Sequence, residues 1–142
     1  WIQDIGDRKV HSLEDARAYM RRGAMDMYER VGFGMWVMEL KSTGEVVGTA
    51  GLIRREVLED VDIGFAMLPQ HRGKGLALEA ARGVFEYATV TLGMDRLVAI
   101  VSAVNQKSIR ILESIGMCYE KTIRFPGEDE DVPLYAWNRP AD

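Results

Sequence analysis

The segment Gln70-His71-Arg72-Gly73-Lys74-Gly75 places two glycines and two cations directly after Pro69 and at the opening of a helical stretch. A helix start leaves backbone N–H groups unpaired and carries partial positive charge, so it attracts phosphate. Glycines at 73 and 75 let the backbone close on a phosphate without side-chain obstruction, and Arg72 and Lys74 add charge beside it. Other phosphate loops fit less well. A Walker loop needs Ser or Thr after Gly-Lys, and Gly75 stands there; a dinucleotide fingerprint needs Gly or Ala where Leu78 stands. A helix that simply starts after a glycine-rich turn and binds nothing is the remaining alternative. Few other residues have spacing that suggests chemistry. Cys118 is the single cysteine, which excludes an intrachain disulfide and a multi-cysteine metal site. Its apolar context predicts a buried thiol rather than a nucleophile. His11 and His71 lack ligand spacing, so no metal site is expected.

The chain has 142 residues, of which 47% are hydrophobic and 28% charged, enough for one domain with a sizeable core. Lys plus Arg is 18 and Asp plus Glu is 22, so the net charge is 18 − 22 = −4. That balance argues against a nucleic-acid binder held by phosphate electrostatics. The pairs Arg21-Arg22 and Arg54-Arg55 read as solvated surface. No apolar run approaches the roughly 20 residues of a membrane span and no signal peptide is visible, so the expected compartment is the cytoplasm, with no membrane partner.

The elements that must position the turn follow from the pattern. Ser12 with Glu14 and Asp15 signals a helix start, and Leu13, Ala16, Tyr19 and Met20 recur at helical spacing towards Gly32. Strands are predicted over 35–40 and 46–52, joined by Lys41-Ser42-Thr43-Gly44-Glu45 as a hairpin; Gly48 and Gly51 mark close backbone approach or a bulge. A third strand is predicted over 59–68, a helix from Gly75 to about Leu92, and a buried strand over 96–101. A helix over 106–115, stopped by Gly116, precedes two last strands over 117–123 and 133–137. The acidic turn Pro126-Gly127-Glu128-Asp129-Glu130-Asp131 lies between them. A meander followed by strand-helix-strand-helix-strand implies an α+β fold with a mixed central sheet.

With both helices placed, the motifs are seen together. Gln70-x-x-Gly73-x-Gly75 resembles the Gln/Arg-x-x-Gly-x-Gly/Ala signature of the GNAT superfamily of N-acetyltransferases. Asn105-x-x-Ser108-x-x-x-Leu112-Glu113-x-x-Gly116-Met117 resembles that family's Asn-led helix ending in Gly-Phe, with Met117 in place of Phe. Asp62-Ile63-Gly64-Phe65 and Gly75-x-Ala77-x-Glu79-Ala80 are most similar to the branch containing the ribosomal-protein N-terminal acetyltransferases. The resemblance covers roughly residues 34–138.

It implies a mostly antiparallel sheet with two adjacent parallel strands that splay apart around acetyl-CoA. By this resemblance, backbone groups of Met67 and Leu68 pair with the pantetheine arm. Backbone N–H groups of Arg72, Gly73, Lys74, Gly75, Leu76 and Ala77 bind the pyrophosphate, Asn105 bonds the pantetheine amide, and Ser108 lies near the thiol. The implied reaction is direct attack of a primary amine, on a small molecule or a protein N-terminus, on the thioester. Asp62 is the candidate base, acting through water; alternatively it is a surface acid, and Asp60 shares its face if side chains alternate. Many members place a tyrosine acid seven residues after the Asn, where this chain has Leu112; Ser108, Tyr119 and Tyr135 are the substitutes. A catalytically weak CoA-binding module of the same fold and an unrelated nucleotide-binding domain stay open as alternatives. The family also opens with a strand and a helix ahead of the segment matching residues 1–31, which this single domain, 1–142, is expected to lack. One sheet edge and part of the acceptor wall would then be missing or supplied by a partner chain, in the simplest case as a homodimer.

Overall fold

The structure, a computed structural model, describes residues 8–142. The expectation about a preceding strand and helix lies outside them. Helix α1 (Leu13–Met20) is capped by Ser12, whose Oγ accepts the Asp15 N–H at 3.0 Å. A π-helical turn at Arg21–Met25 joins it to α2 (Asp26–Val31), which ends on Gly32 in the left-handed region. Strands β1 (Met35–Glu39) and β2 (Val46–Ile53) form the predicted hairpin. Gly48 and Gly51 serve close approach: a side chain on them would run into the carbonyl oxygens of Ala66 and Gly34. The bulge falls elsewhere, between Met38 and Glu39.

Strand β3 (Asp62–Met67) starts three residues later than predicted. Asp60 lies in a bend ahead of it, where its carboxylate accepts from Arg96 Nε at 2.8 Å. A 3₁₀ turn (Pro69–His71) and the glycine turn lead into α3 (Leu76–Glu86), which ends in a second π-helical turn, Tyr87–Thr91. Strand β4 (Arg96–Ile100), helix α4 (Gln106–Ser114) and strands β5 (Cys118–Ile123) and β6 (Val132–Asn138) complete the chain. The six strands run in the order β1-β2-β3-β4-β6-β5. All neighbours are antiparallel except β3 and β4. The fold is the α+β, mixed and mostly antiparallel sheet that the sequence predicts.

One sheet face carries the main core. Leu52, Ile63, Leu97, Ala99 and Tyr135 pack with Ala81, Val84 and Ala88 of the α3 stretch and with Leu112 and Ile115 of the α4 segment. Each large side chain buried this way contributes about 1.5–3 kcal/mol. The opposite face holds a smaller cluster, Val98, Leu134 and Ala136, flanked by Leu58 and Ile123. Cys118 departs from expectation: it is exposed, because Met117 takes the inward position and β5 is an edge strand.

Candidate active site

Parallel pairing puts the C-terminal ends of β3 and β4 at one end of the sheet. The starts of α3 and α4 therefore lie at that end too, the end where open α/β sheets bind ligands. The two strands share a single register pair, Asp62↔Val98, held by the Val98 N–H donating to the Val61 carbonyl at 3.0 Å. Beyond it they part.

Ladder alternation fixes which peptide groups face the opening. The Leu68 N–H donates to the Val47 carbonyl at 2.9 Å, so Leu68 and every second residue before it point their groups at β2. Val61, Ile63, Phe65 and Met67 point theirs at β4. Past Ile63 no strand pairs with this edge of β3 among the described residues, and the groups of Phe65 and Met67 face the gap. Leu68 differs from Met67. Its N–H is taken by Val47 and its carbonyl accepts the His71 N–H at 2.9 Å.

The glycine turn stands at the mouth of this gap. Gly73 and Gly75 have φ of 76° and 78°, and an added Cβ on either would meet no heavy atom within 4 Å. Gly75 is the N-cap of α3 and offers no side-chain cap. Within the helix the first N–H to find a carbonyl is that of Glu79, on Gly75 at 3.1 Å; those of Leu76, Ala77 and Leu78 have no intrahelical acceptor. Arg72 and Lys74 are exposed, and Lys74 has no ion-pair partner among the described residues. Open space, unpaired donors and positive charge coincide here, an arrangement that fits a pyrophosphate.

Helix α4 is capped differently. Asn105 Oδ1 accepts the Ser108 N–H at 3.2 Å, leaving the Asn105 amide N–H groups without a protein acceptor among the described residues. Ser108 is half-buried in the first turn behind it. Leu112, where a tyrosine acid is sought, is 2% exposed and belongs to the core. Of the substitutes, Tyr119 is 56% exposed with its hydroxyl bonded to Thr122 Oγ1 at 2.8 Å. Tyr135 is buried and stacks edge-on against the Tyr119 ring.

Asp62 stands where the strands part and is 2% exposed, so it is not a surface acid. Its Oδ2 accepts from Arg55 Nε at 2.6 Å, and its Oδ1 is buried without a protein partner. Burial pushes this carboxyl above the usual aspartate range, and the Arg55 guanidinium opposes the push. The pair Arg54-Arg55 thus divides: Arg54 is surface, whereas Arg55 engages the buried acid. Sequence reasoning missed Arg55, as it missed His71 beyond its lack of ligand spacing; the signal for His71 was its place inside the turn motif. A cleft lined by Phe33, Arg54, Asp60, Asp95 and Arg96 lies by the start of β4, away from this site.

Residues 2–118 match the family described as acetyltransferase (GNAT) domain, and the chain belongs to that family. It is 33% identical over 111 residues to the uncharacterized protein YkkB of Bacillus subtilis (strain 168), covering 77% of this chain and 58% of YkkB. The probable N-acetyltransferase YjcK of the same organism is 32% identical over 120 residues, covering 80% and 65% of the two chains. The chain therefore spans under two thirds of these relatives' length. A shorter match, 31% over 78 residues, 54% of this chain and 42% of the relative, is to the spermidine N(1)-acetyltransferase of Escherichia coli (strain K12). Among solved structures, an acetyltransferase from Agrobacterium tumefaciens superimposes with a TM-score of 0.80 at 25% identity, covering 97% of this chain and 78% of that one.

Proposed function

We propose that the protein is an N-acetyltransferase that moves the acetyl group of acetyl-CoA to a primary amine by direct attack. The observation that carries this reading is the opening of β3 from β4 after one register pair, with the uncapped start of α3 at its mouth. The peptide groups of Met67 would pair with the pantetheine arm as an added strand does. The N–H groups of Gly73, Lys74, Gly75, Leu76 and Ala77 would hold the pyrophosphate, with Arg72 contributing its charge, since its N–H donates to the Pro69 carbonyl at 3.3 Å, and with the Asn105 side-chain amide and Ser108 further along the arm. Leu68 is left out, since both its main-chain groups are engaged.

The amine nitrogen attacks the thioester carbonyl, the C–N bond forms, the C–S bond breaks, and the proton lost by the amine ends on the departing sulfur as the CoA thiol. Asp62 Oδ1 is the atom free to receive the amine proton, through water, while Oδ2 stays on Arg55. Positioning of the amine against the thioester supplies much of the acceleration. Pairing of β4 with β6 sets the acidic turn 127–131 at the C-terminal end of β4, beside the mouth of the gap. Its exposed Glu128, Asp129 and Glu130 favour a cationic acceptor, which agrees with the spermidine-acetylating relative.

The test is release of CoA thiol from acetyl-CoA in the presence of spermidine or a peptide amine, together with CoA binding by calorimetry. Amine-dependent release is expected. Tight CoA binding with no release for any amine would favour the second reading, a CoA-binding module, which the burial of Leu112 in place of an acid supports. Full competition by ADP, with nothing gained from pantetheine, would point to a nucleotide-binding domain instead.

A further inference from the structure

We propose that His71 is a positioning residue for the pyrophosphate turn, holding it in place by a hydrogen bond to Glu45 of the β1–β2 hairpin. The inference rests on the cofactor reading above.

The turn needs an external constraint. Residues 72–75 are all exposed, and nothing packs around the Cβ positions of its two glycines. Burial begins only at its two ends. Helix α3 fixes the far end, and His71 is the residue at the near end. It is 5% exposed, in contrast to the exposed Gln70 and Arg72 on either side of it.

The imidazole reaches across the sheet end. His71 Nε2 lies 3.0 Å from Glu45 Oε1, a residue 26 positions earlier. A carboxylate only accepts, so Nε2 carries the hydrogen and donates it. Glu45 is itself held within the hairpin. Its N–H donates to Thr43 Oγ1 at 3.2 Å, and its carbonyl accepts the Leu40 N–H at 2.9 Å. His71 Nδ1 is buried without a protein partner. A side chain present only to fill the space would be apolar and would leave no such atom. What the ring adds over an apolar filler is the bond its other nitrogen makes. That bond ties the turn to the β1–β2 hairpin. With it in place, the segment carrying the N–H groups of residues 73–77 is held before any ligand arrives, so less ordering remains to oppose binding.

The experiment compares His71→Phe, which fills the space without the donor, with His71→Gln, which restores an N–H at the Nε2 position. Glu45→Gln on the exposed turn removes the charge of the acceptor and carries the test if His71→Phe does not fold. Each is measured for CoA affinity, for affinity towards an acetyl-pantetheine lacking the pyrophosphate, and for kcat and KM. The loss expected for His71→Phe is about tenfold in CoA affinity and in KM for acetyl-CoA, the size of one hydrogen bond to a charged group. kcat and acetyl-pantetheine binding should be unchanged, and His71→Gln should recover most of the loss. Equal loss for CoA and acetyl-pantetheine, or no loss in folded His71→Phe, would overturn the proposal. Gly75→Glu run in parallel separates the two levels. If it too leaves CoA binding intact, the pyrophosphate assignment itself fails. If it alone weakens binding, only the role of His71 does.

Discussion

Asp62 combines burial, a cation on one oxygen and a free second oxygen, and its pH behaviour follows from the first two. Because burial raises its folded pKa, the native state holds a proton that the unfolded chain has already released. The associated stability is fully present below the ordinary aspartate pKa and is lost as pH rises through the raised one. Asp62→Asn removes that loss, so the variant should gain on the parent in urea midpoint as pH rises from 4 to 8. As the proposed base, the carboxylate must be ionised, which puts the expected acid limb of the pH–rate profile above the usual carboxylate range. Asp62→Asn should flatten this limb and lower kcat by about 100-fold, the ordinary value of a general base. Arg55→Met should move the limb to still higher pH, since the charge that opposes the rise is gone. An unchanged limb in Asp62→Asn would remove this residue from the mechanism. The sequence singled out Asp62 as a candidate but left Asp60 beside it. Only the folded chain separates them, by giving Asp60 to Arg96 and enclosing Asp62 with Arg55.

Helix boundaries and the first hairpin are legible because capping, turn chemistry and periodicity are local: Ser12, Gly32, Gly75, Asn105 and Gly116 mark helix ends that the structure keeps close to where the sequence puts them. The two π-helical turns are not, since the extra residue in each answers to packing that is set elsewhere in the chain. Cys118 was misplaced for a similar reason: an apolar neighbourhood in sequence does not tell which side of an edge strand will be covered. Two expectations belong to these elements. Gly75→Glu adds a Cβ at a φ of 78° and a negative charge at an uncapped helix start. The strain costs about 1–2 kcal/mol and the charge opposes phosphate, so CoA affinity should fall by well over tenfold with the fold retained. Leu112→Ala leaves a cavity under α4 and should lower unfolding stability by about 2–5 kcal/mol in chemical denaturation.

At the scale of the molecule, charge and topology make their own expectations. The acidic turn beside the mouth predicts that KM for a polycationic amine rises with ionic strength, while KM for a neutral-bodied monoamine changes less. A cofactor that binds only the folded chain adds about 2.7 kcal/mol of stability at 100 times its Kd, visible as a concentration-dependent rise in Tm. The order β1-β2-β3-β4-β6-β5 divides into two three-stranded panels, each a continuous antiparallel ladder, that meet at Asp62↔Val98. Mechanically, the seam between them is a zipper closed by one tooth. An extended ligand laid along the open part would act as a splint, supplying the missing teeth from outside the chain. Amide protons flanking the seam should then exchange fastest in the free protein and slow most on cofactor binding, while those inside each panel hardly change.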